Sequence, residues 1–407
     1  MNVIFLTQDG SLRLFYYLMK ALEGPLHLDK VGFYISGSAF FRNFSKQKTG
    51  IESGKYTLVK EWEIWDNAKA KKPDITLLRH YEKKLGTPSF WDAVVSDRRL
   101  IWGKLYTLQQ DYRPRFRHEQ ILSFLQESLL ATEGLFDRVR PDFVVSFICV
   151  TLGEFLCYLV AKSRDIPFLN LRPTRIKNYM TFGESVYEPS KFIRSAFEKN
   201  MAQRDDDHWI KEARTHLQFV QTQHGRYEGT LPTSRKSSHR LRKKSKRPPY
   251  RKLGGIFKSE YLYRFKDSKF DSVVPGGITP FLYGDFVIPW RAFLINLRLK
   301  QKYVIEKDLS SLDYVFFPLH TEPEVTLLVY SKHYLNQIEI ARNVAYNLPA
   351  GMSLLVKEHP RSVGKRPRNY YKKLLEIPNV LLADPALTSR EVILNSKLVS
   401  TIAGSIG

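Results

Sequence analysis

Three short stretches near the end of the 407-residue chain carry residue types that bind an anion. Lys357-Glu358-His359-Pro360 supplies an ammonium and an imidazole, both able to donate to phosphate oxygens. Ala403-Gly404-Ser405-Ile406-Gly407 supplies glycines at Gly404 and Gly407, where backbone N–H groups can approach an anion closely, with Ser405 between them. Pro318-Leu319-His320-Thr321-Glu322-Pro323-Glu324 adds His320 and two carboxylates; Glu322 or Glu324 can accept from ribose hydroxyls or order the loop. Singly, each has an ordinary reading: a turn with a surface histidine, a tight glycine loop, a solvated acidic turn. All three, however, follow short apolar runs of strand type, and that shared placement points to one anion site suited to a nucleotide phosphate.

A second group lies in the first half. Phe168 to Leu171 reads as a strand and runs into Arg172-Pro173-Thr174-Arg175, a pair of guanidiniums suited to an acidic sugar or a phosphate. An arginine packed on a surface carboxylate remains an equal alternative. Asp9, just after the first apolar run, and Glu154, at the start of a helix, are expected to be exposed carboxylates. Either can serve as a general base toward an acceptor hydroxyl, and Glu154 ranks narrowly first. An acid in a first helical turn is also favoured by the helix dipole alone. No Cys/His cluster has zinc-ligand spacing and no Asp-x-Asp stands at a strand end, so no metal and no cofactor beyond the substrate is expected. Cys149 and Cys157 read as structural apolar thiols in a buried strand and the helix after it.

The elements that must position these groups alternate between strand and helix. Val3–Leu6 and Val31–Ile35 are strands, with a helix between them through Leu14, Tyr17, Leu18 and Leu22. Ser89 and Asp92 have capping-box spacing, and Ile121, Leu122, Leu125 and Leu129 form a helical stripe closed by Pro141. Asp142 to Val150 is a continuous strand, Phe155 to Val160 a crossover helix and Pro167–Leu171 the next strand, which makes a βαβ unit. Pro289 to Val304 predicts a connecting helix. Beyond it come strands at 314–317, 353–356, 380–382 and 398–402. Helices marked by Leu335, Ile338, Ala341 and Ala345, by 369–375, and by a Thr388/Glu391 capping box separate them. The expectation is two Rossmann-like α/β domains with parallel sheets facing across a cleft. Residues 1–285 make the acceptor side, 286–309 a linker helix and 310–407 the nucleotide-sugar side.

Charge narrows the class of partner. Sixty-four Lys/Arg against 41 Asp/Glu give +23, a surface that concentrates anions. Part of the excess is local: Arg235 to Lys252 holds ten Lys/Arg and no acid, in a Ser- and Pro-bearing insert at about 232–252. A solvated linker and a dock for anionic lipid headgroups both fit it. Nucleic acid is disfavoured, because no aromatic platform, zinc finger or recognition-helix pattern accompanies the charge. No uncharged apolar run of about 18 residues is present, and the N-terminus turns polar after about four apolar residues, so a cytoplasmic protein is expected.

The Phe316–Glu324, Lys357–Pro360 and Thr401–Gly407 stretches resemble bacterial capsule or surface polysaccharide biosynthesis proteins, similar to the GT-B Kdo transferases of capsule assembly. The resemblance spans about 310–407 and, more weakly, 141–185. The family usually has Gln-Pro-Glu where this chain has Glu322-Pro323-Glu324. The resemblance implies a metal-independent GT-B glycosyltransferase in which His359, Gly404 and Ser405 hold the donor's phosphate and ribose. The donor would be a nucleotide-sugar, with CMP-linked Kdo or another acidic sugar in view. The acceptor would be a polysaccharide or lipid-linked glycan beside the anionic inner membrane. The rivals are a nucleotide-sugar epimerase of the same architecture and a non-enzymatic basic protein that binds membrane or nucleic acid. Because the family continues past the Gly-Ser-x-Gly turn with a helix, the second domain is expected to be incomplete at Gly407.

Overall fold

The computed structural model describes residues 1–47, 50–102, 115–174, 176, 179–188, 190–202, 207–222, 257, 260–261, 278, 282–367 and 369–403. The strands of the first half are β1 (Val3–Thr7), β2 (Val31–Ile35), β3 (Thr57–Lys60), β4 (Phe143–Ser146), β5 (Phe168–Pro173) and β6 (Met180–Gly183). They form one sheet in the order β3-β2-β1-β4-β5-β6, parallel except for the antiparallel β5–β6 edge. The order reverses between β1 and β4, which makes that crevice the switch point where open α/β sheets bind ligands. The second sheet contains β7 (Tyr303–Val304), β8 (Tyr314–Pro318), β9 (Ser353–Lys357), β10 (Val380–Ala383) and β11 (Leu398–Val399). Its order is β11-β8-β9-β10-β7 and every pair is parallel. The protein is thus a mixed α/β chain with two parallel sheets, the fold class the alternation predicts.

Helices flank both sheets. In the first half they are α1 (Ser11–Leu22), α2 (Ser38–Ser45), α3 (Glu61–Ala68), α4 (Ile75–Lys84), α5 (Trp91–Ser96), α6 (Arg98–Ile101), α7 (His118–Val139), α8 (Leu152–Ser163), α9 (Lys191–Ala202) and α10 (Asp207–Thr222). The later ones are α11 (Ile288–Leu299), α12 (Gln337–Tyr346), α13 (Tyr370–Leu375) and α14 (Ser389–Leu394). All five residues of β1, of β2 and of β8 are buried, as expected of strands covered on both faces. One face of β1 and β2 packs Phe5 against Phe33, ring centroids 5.5 Å apart, under α1. The other face buries Ile4, Leu6 and Tyr34 against α3, α7 and α8. A π-helical turn after β8, Thr326–Tyr330, carries Leu328 and Val329 into that same core, and Lys332 pairs with Asp92 of α5 at 2.5 Å. The loop after β8 is therefore seated on the first half of the chain. No helix among the described residues is long and apolar enough to cross a membrane.

Several local expectations are corrected. The apolar run at 142–150 stops being a strand at Ser146. There, Ser146 Oγ and the Asn170 amide both donate to Phe147 O, and Glu154 accepts from Val150 N, so side chains replace the ladder. Cys149 therefore lies in a buried loop. Ser89 makes no capping box: its Oγ accepts from Trp91 N, two residues on, and α5 starts at Trp91. The connecting helix ends at Leu299, and Tyr303–Val304 instead joins the sheet beside β10. The last strand pairs only at Leu398 and Val399. The Thr388/Glu391 capping box is present, with bonds of 2.7 and 3.2 Å.

Candidate functional site

Because β11, β8 and β9 are adjacent and parallel, their C-terminal ends lie side by side. Leu319 N donates to Lys357 O at 2.9 Å, and Ala403 N donates to His320 Nε2 at 3.4 Å. His320, Glu322, Lys357 and His359 are thus gathered at one edge. Gly404, Ser405 and Gly407 lie outside the described residues, as do Arg175 and the basic insert.

Beneath this edge is a buried polar network centred on Arg366, which the sequence did not single out. Its Nε donates to Glu358 Oε2 at 2.7 Å, its Nη1 to Glu322 Oε1 at 3.0 Å and its Nη2 to His320 O at 2.6 Å. Its plane stacks on Tyr370, 4.7 Å from the ring centroid, and Tyr371 Oη donates to Glu358 at 3.0 Å. Gln337, at the start of α12, accepts from His320 N at 2.7 Å and donates to both His320 O and Glu322. Glu322 and Glu358 are each 3% exposed. Glu322 therefore offers nothing to a ribose: it faces inward and holds the loop, which corrects the expectation for that residue. Glu324, by contrast, is exposed.

Three side chains remain that can meet an anion. Lys357 is only 6% exposed, yet its ammonium has no hydrogen bond or ion pair among the described residues. Burial lowers its pKa, offset in part by the charges of Glu358, Asp384 and Glu391. His359 Nδ1 accepts from Arg361 N at 3.1 Å, so the neutral ring carries its proton on Nε2. Burial also lowers the pKa of His359, which favours that neutral donor form. Lys365, half-buried nearby, is lowered by burial and by the charge of Arg361. The chemistry on offer is charge-assisted and neutral donation to an anion at the end of β9.

The first sheet presents a different picture at its switch point. The N-terminus of α8, where a ligand phosphate would sit, is filled by the protein's own carboxylates. Leu152 N donates to Asp97 Oδ2 at 2.9 Å and Gly153 N to Glu61 Oε1 at 3.3 Å, while Glu154 N is capped by Thr151 Oγ1 at 3.3 Å. Arg99, 2% exposed, neutralises both acids, at 2.5 Å to Asp97 and 2.7 Å to Glu61. It also donates to Ser36 O at 3.2 Å and sits over Trp65. Glu154 is 1% exposed, so the expected exposed carboxylate is instead a buried one. Burial raises its pKa to about 7, and its Oε1 has no partner among the described residues. A carboxyl so enclosed cannot reach an acceptor hydroxyl. Asp9 is exposed after β1, in a left-handed turn with φ 41° against Gly37, where a Cβ would come within 2.8 Å of its Oδ1.

Arg172 is also corrected. Its Nε donates to Asn170 Oδ1 at 2.7 Å, and its two terminal nitrogens reach the carbonyls of Glu188, Ser185 and Val186. The fork staples the loop after β6 and has no donor to spare for a ligand. Arg98 is the cation that sequence reasoning missed here. It sits between the inward-turned Asp97 and Arg99, half-buried and without a hydrogen bond among the described residues. The charges of Asp9, after β1, and Glu324, after β8, both act on it. It therefore stands where the two halves meet. Nothing in its local sequence distinguishes Arg98 from Arg99; only their opposite directions in the fold do.

No family model matches the chain, and no curated protein matches it. Among solved structures it is similar to UDP-GlcNAc 2-epimerase from Neisseria meningitidis bound to UDP-GlcNAc, at 12% identity over 99% of this chain and 78% of that one, with a TM-score of 0.24. It is similar too to UDP-GlcNAc 2-epimerase from Methanocaldococcus jannaschii, at 12% identity over 98% and 77%, with a TM-score of 0.19. A third is TcCGT1 in complex with UDP, at 10% identity over 98% and 76%, with a TM-score of 0.20. Likeness at these scores carries no argument about chemistry.

Proposed function

We propose that the chain is a nucleotide-sugar-dependent glycosyltransferase of GT-B type. Residues 310–407 would hold the donor, residues 1–285 the acceptor, and 286–309 the link between them. The observation that carries this reading is the pair Lys357 and His359 at the end of β9. An unpaired, nearly buried ammonium and an oriented Nε2–H stand side by side where an open parallel sheet takes its ligands. In this reading Lys357 balances charge on the departing phosphate without a metal, and His359 orients it. His320 would hold the loop that begins at Ala403 against the donor, and Glu324 would line the opening. Asp9 becomes the general base, because Glu154 is enclosed. Arg98 replaces Arg172 as the cation facing the acceptor. The +23 charge suits an anionic donor and a polysaccharide or lipid-linked acceptor at an anionic membrane.

The test is a thermal-shift screen of CMP, UDP, GDP and dTDP and their sugars, since a ligand at 100 times its Kd adds about 2.7 kcal/mol to the native state. A hit is then incubated with and without glycan acceptors, and the products are resolved. Transfer to an acceptor supports the proposal. Epimerised nucleotide-sugar with no transfer would replace it with the epimerase reading. No melting shift with any nucleotide overturns both.

A further inference from the structure

Helix α11 is apolar on two opposite faces, and only one of them is covered. Ile288, Ala292, Ile295 and Leu299 form the inner face. Ile288 is buried, and Ile295 and Leu299 pack on the core beneath β8 and β9. The contact is close because Gly364, at φ 89°, lets the helix backbone approach: a Cβ there would lie 2.5 Å from Ile288 O. Arg291 also donates to Arg366 O. The helix is thus fixed in place by packing and hydrogen bonding along one side.

Its outer side carries Trp290, Phe293 and Leu297, continued backward by Phe286 from the preceding π-helical turn at Tyr283–Val287. Their exposures are 63%, 57%, 64% and 60%, and their 4-3-4 spacing sets them in one stripe about three turns long. A contiguous aromatic stripe left in water on a rigid helix marks an interaction site. The charge around it identifies the partner. From Phe286 to Ile305 the sequence has no acidic residue, and Arg298, Lys300 and Lys302 are exposed at the end of the stripe. A second copy of this chain would bring those cations against their own kind, on a protein already at +23. An anionic lipid surface meets both features: its headgroups take the cations, and its acyl boundary takes Trp and Phe.

We infer that the outer stripe of α11, Phe286-Trp290-Phe293-Leu297, is a docking face for an anionic bilayer surface, with Arg298, Lys300 and Lys302 engaging the headgroups. The inference rests on the membrane side of the proposed function and names the face that makes the contact. Helix α9 repeats the composition, with exposed Phe192, Phe197 and Met201 beside Lys191, Arg194 and Lys199.

The experiment is flotation of the full chain with phosphatidylcholine vesicles containing about one quarter phosphatidylglycerol, and with pure phosphatidylcholine. The parent should float with the anionic vesicles only. The triple variant Trp290→Ser/Phe293→Ser/Leu297→Ser and the double variant Arg298→Glu/Lys300→Glu should each lower the anionic partition coefficient at least tenfold. Their melting temperatures should stay near that of the parent, because the altered side chains are exposed. Parent-like flotation of both variants overturns the inference, as does loss of flotation on deleting 235–252 when the triple variant has no effect. A parent dimer that the triple variant converts to monomer, with flotation unchanged, assigns the stripe to a second copy and overturns it too. Nucleotide-induced melting shifts, recorded without lipid, report on the donor reading separately.

Discussion

Arg366 Nε lies 2.7 Å from Glu358 Oε2 while the same guanidinium reaches His320 O at 2.6 Å, so one side chain ties the loop after β9 to the loop after β8. Both its carboxylate partners are buried, and removing the cation would leave two uncompensated charges in the core. Arg366→Ala should therefore cost about 3–5 kcal/mol in urea unfolding. Arg366→Lys should recover little, because an ammonium cannot reproduce the fork and the stacking on Tyr370. A cost under about 1 kcal/mol for Arg366→Ala would show that the network does not organise the edge.

The parts of the fold that were legible in sequence are those written in local pattern. The continuous apolar runs of β1, β2, β8 and β9 and the Thr388/Glu391 cap are set by neighbours a few residues away. β3 escaped notice because Thr57-Leu58-Val59-Lys60 is a half-polar edge strand whose pairing with β2 is a long-range fact. The gathering of His320, Lys357 and His359 followed from strand order alone. Which carboxylate faces water did not: Glu154 and Glu322 each look like a site acid until long-range packing encloses them. Arg99 and Arg366 escaped for the same reason, since their partners lie tens of residues away in sequence.

Glu154 supplies a pH test. Its folded-state pKa, raised to about 7 by burial, lies above the ordinary carboxylate value near 4.3. The native state thus holds the proton more tightly than the unfolded chain. The contribution is fully present below about pH 4 and is lost as pH rises through about 7, at up to roughly 1.4 kcal/mol per pH unit. Glu154→Gln keeps the neutral shape at every pH, so urea unfolding at pH 5 and pH 8 should show the variant gaining on the parent at pH 8. Equal gains at both values would mean the carboxyl is ionised throughout. Sugar transfer should survive in Glu154→Gln and fail in Asp9→Asn, the reverse of the order the sequence suggested.

Gly153 sets how closely α8 approaches β2. An added methyl would overlap the Tyr34 ring, which is itself fully buried. Gly153→Ala should destabilise by about 1–3 kcal/mol through overpacking. It should also lift the start of α8 away from the Glu61 carboxylate that Gly153 N now meets at 3.3 Å. Thermal melting that matches the parent would place α8 farther from β2 than this packing requires.

Lys357 separates stability from binding most cleanly. Its ammonium is 6% exposed without an ion pair among the described residues, so the empty protein bears a desolvation cost for it. Because burial lowers its pKa, the parent should gain stability as pH rises toward the ordinary lysine value of about 10.4. Lys357→Met removes the charge and keeps the length, so it should melt at or above the parent near pH 7 and lose that rise. If the ammonium instead serves an anionic ligand, the same variant should bind the donor nucleotide more weakly, by the roughly 1.5–3 kcal/mol of a charge-assisted hydrogen bond. By titration calorimetry that is about a 10- to 150-fold rise in Kd. His359→Ala should show a smaller loss, since a neutral Nε2–H is the weaker donor. A stabilised Lys357→Met that binds nucleotide as tightly as the parent would leave the ammonium without a ligand, and the end of β9 would not be the donor site.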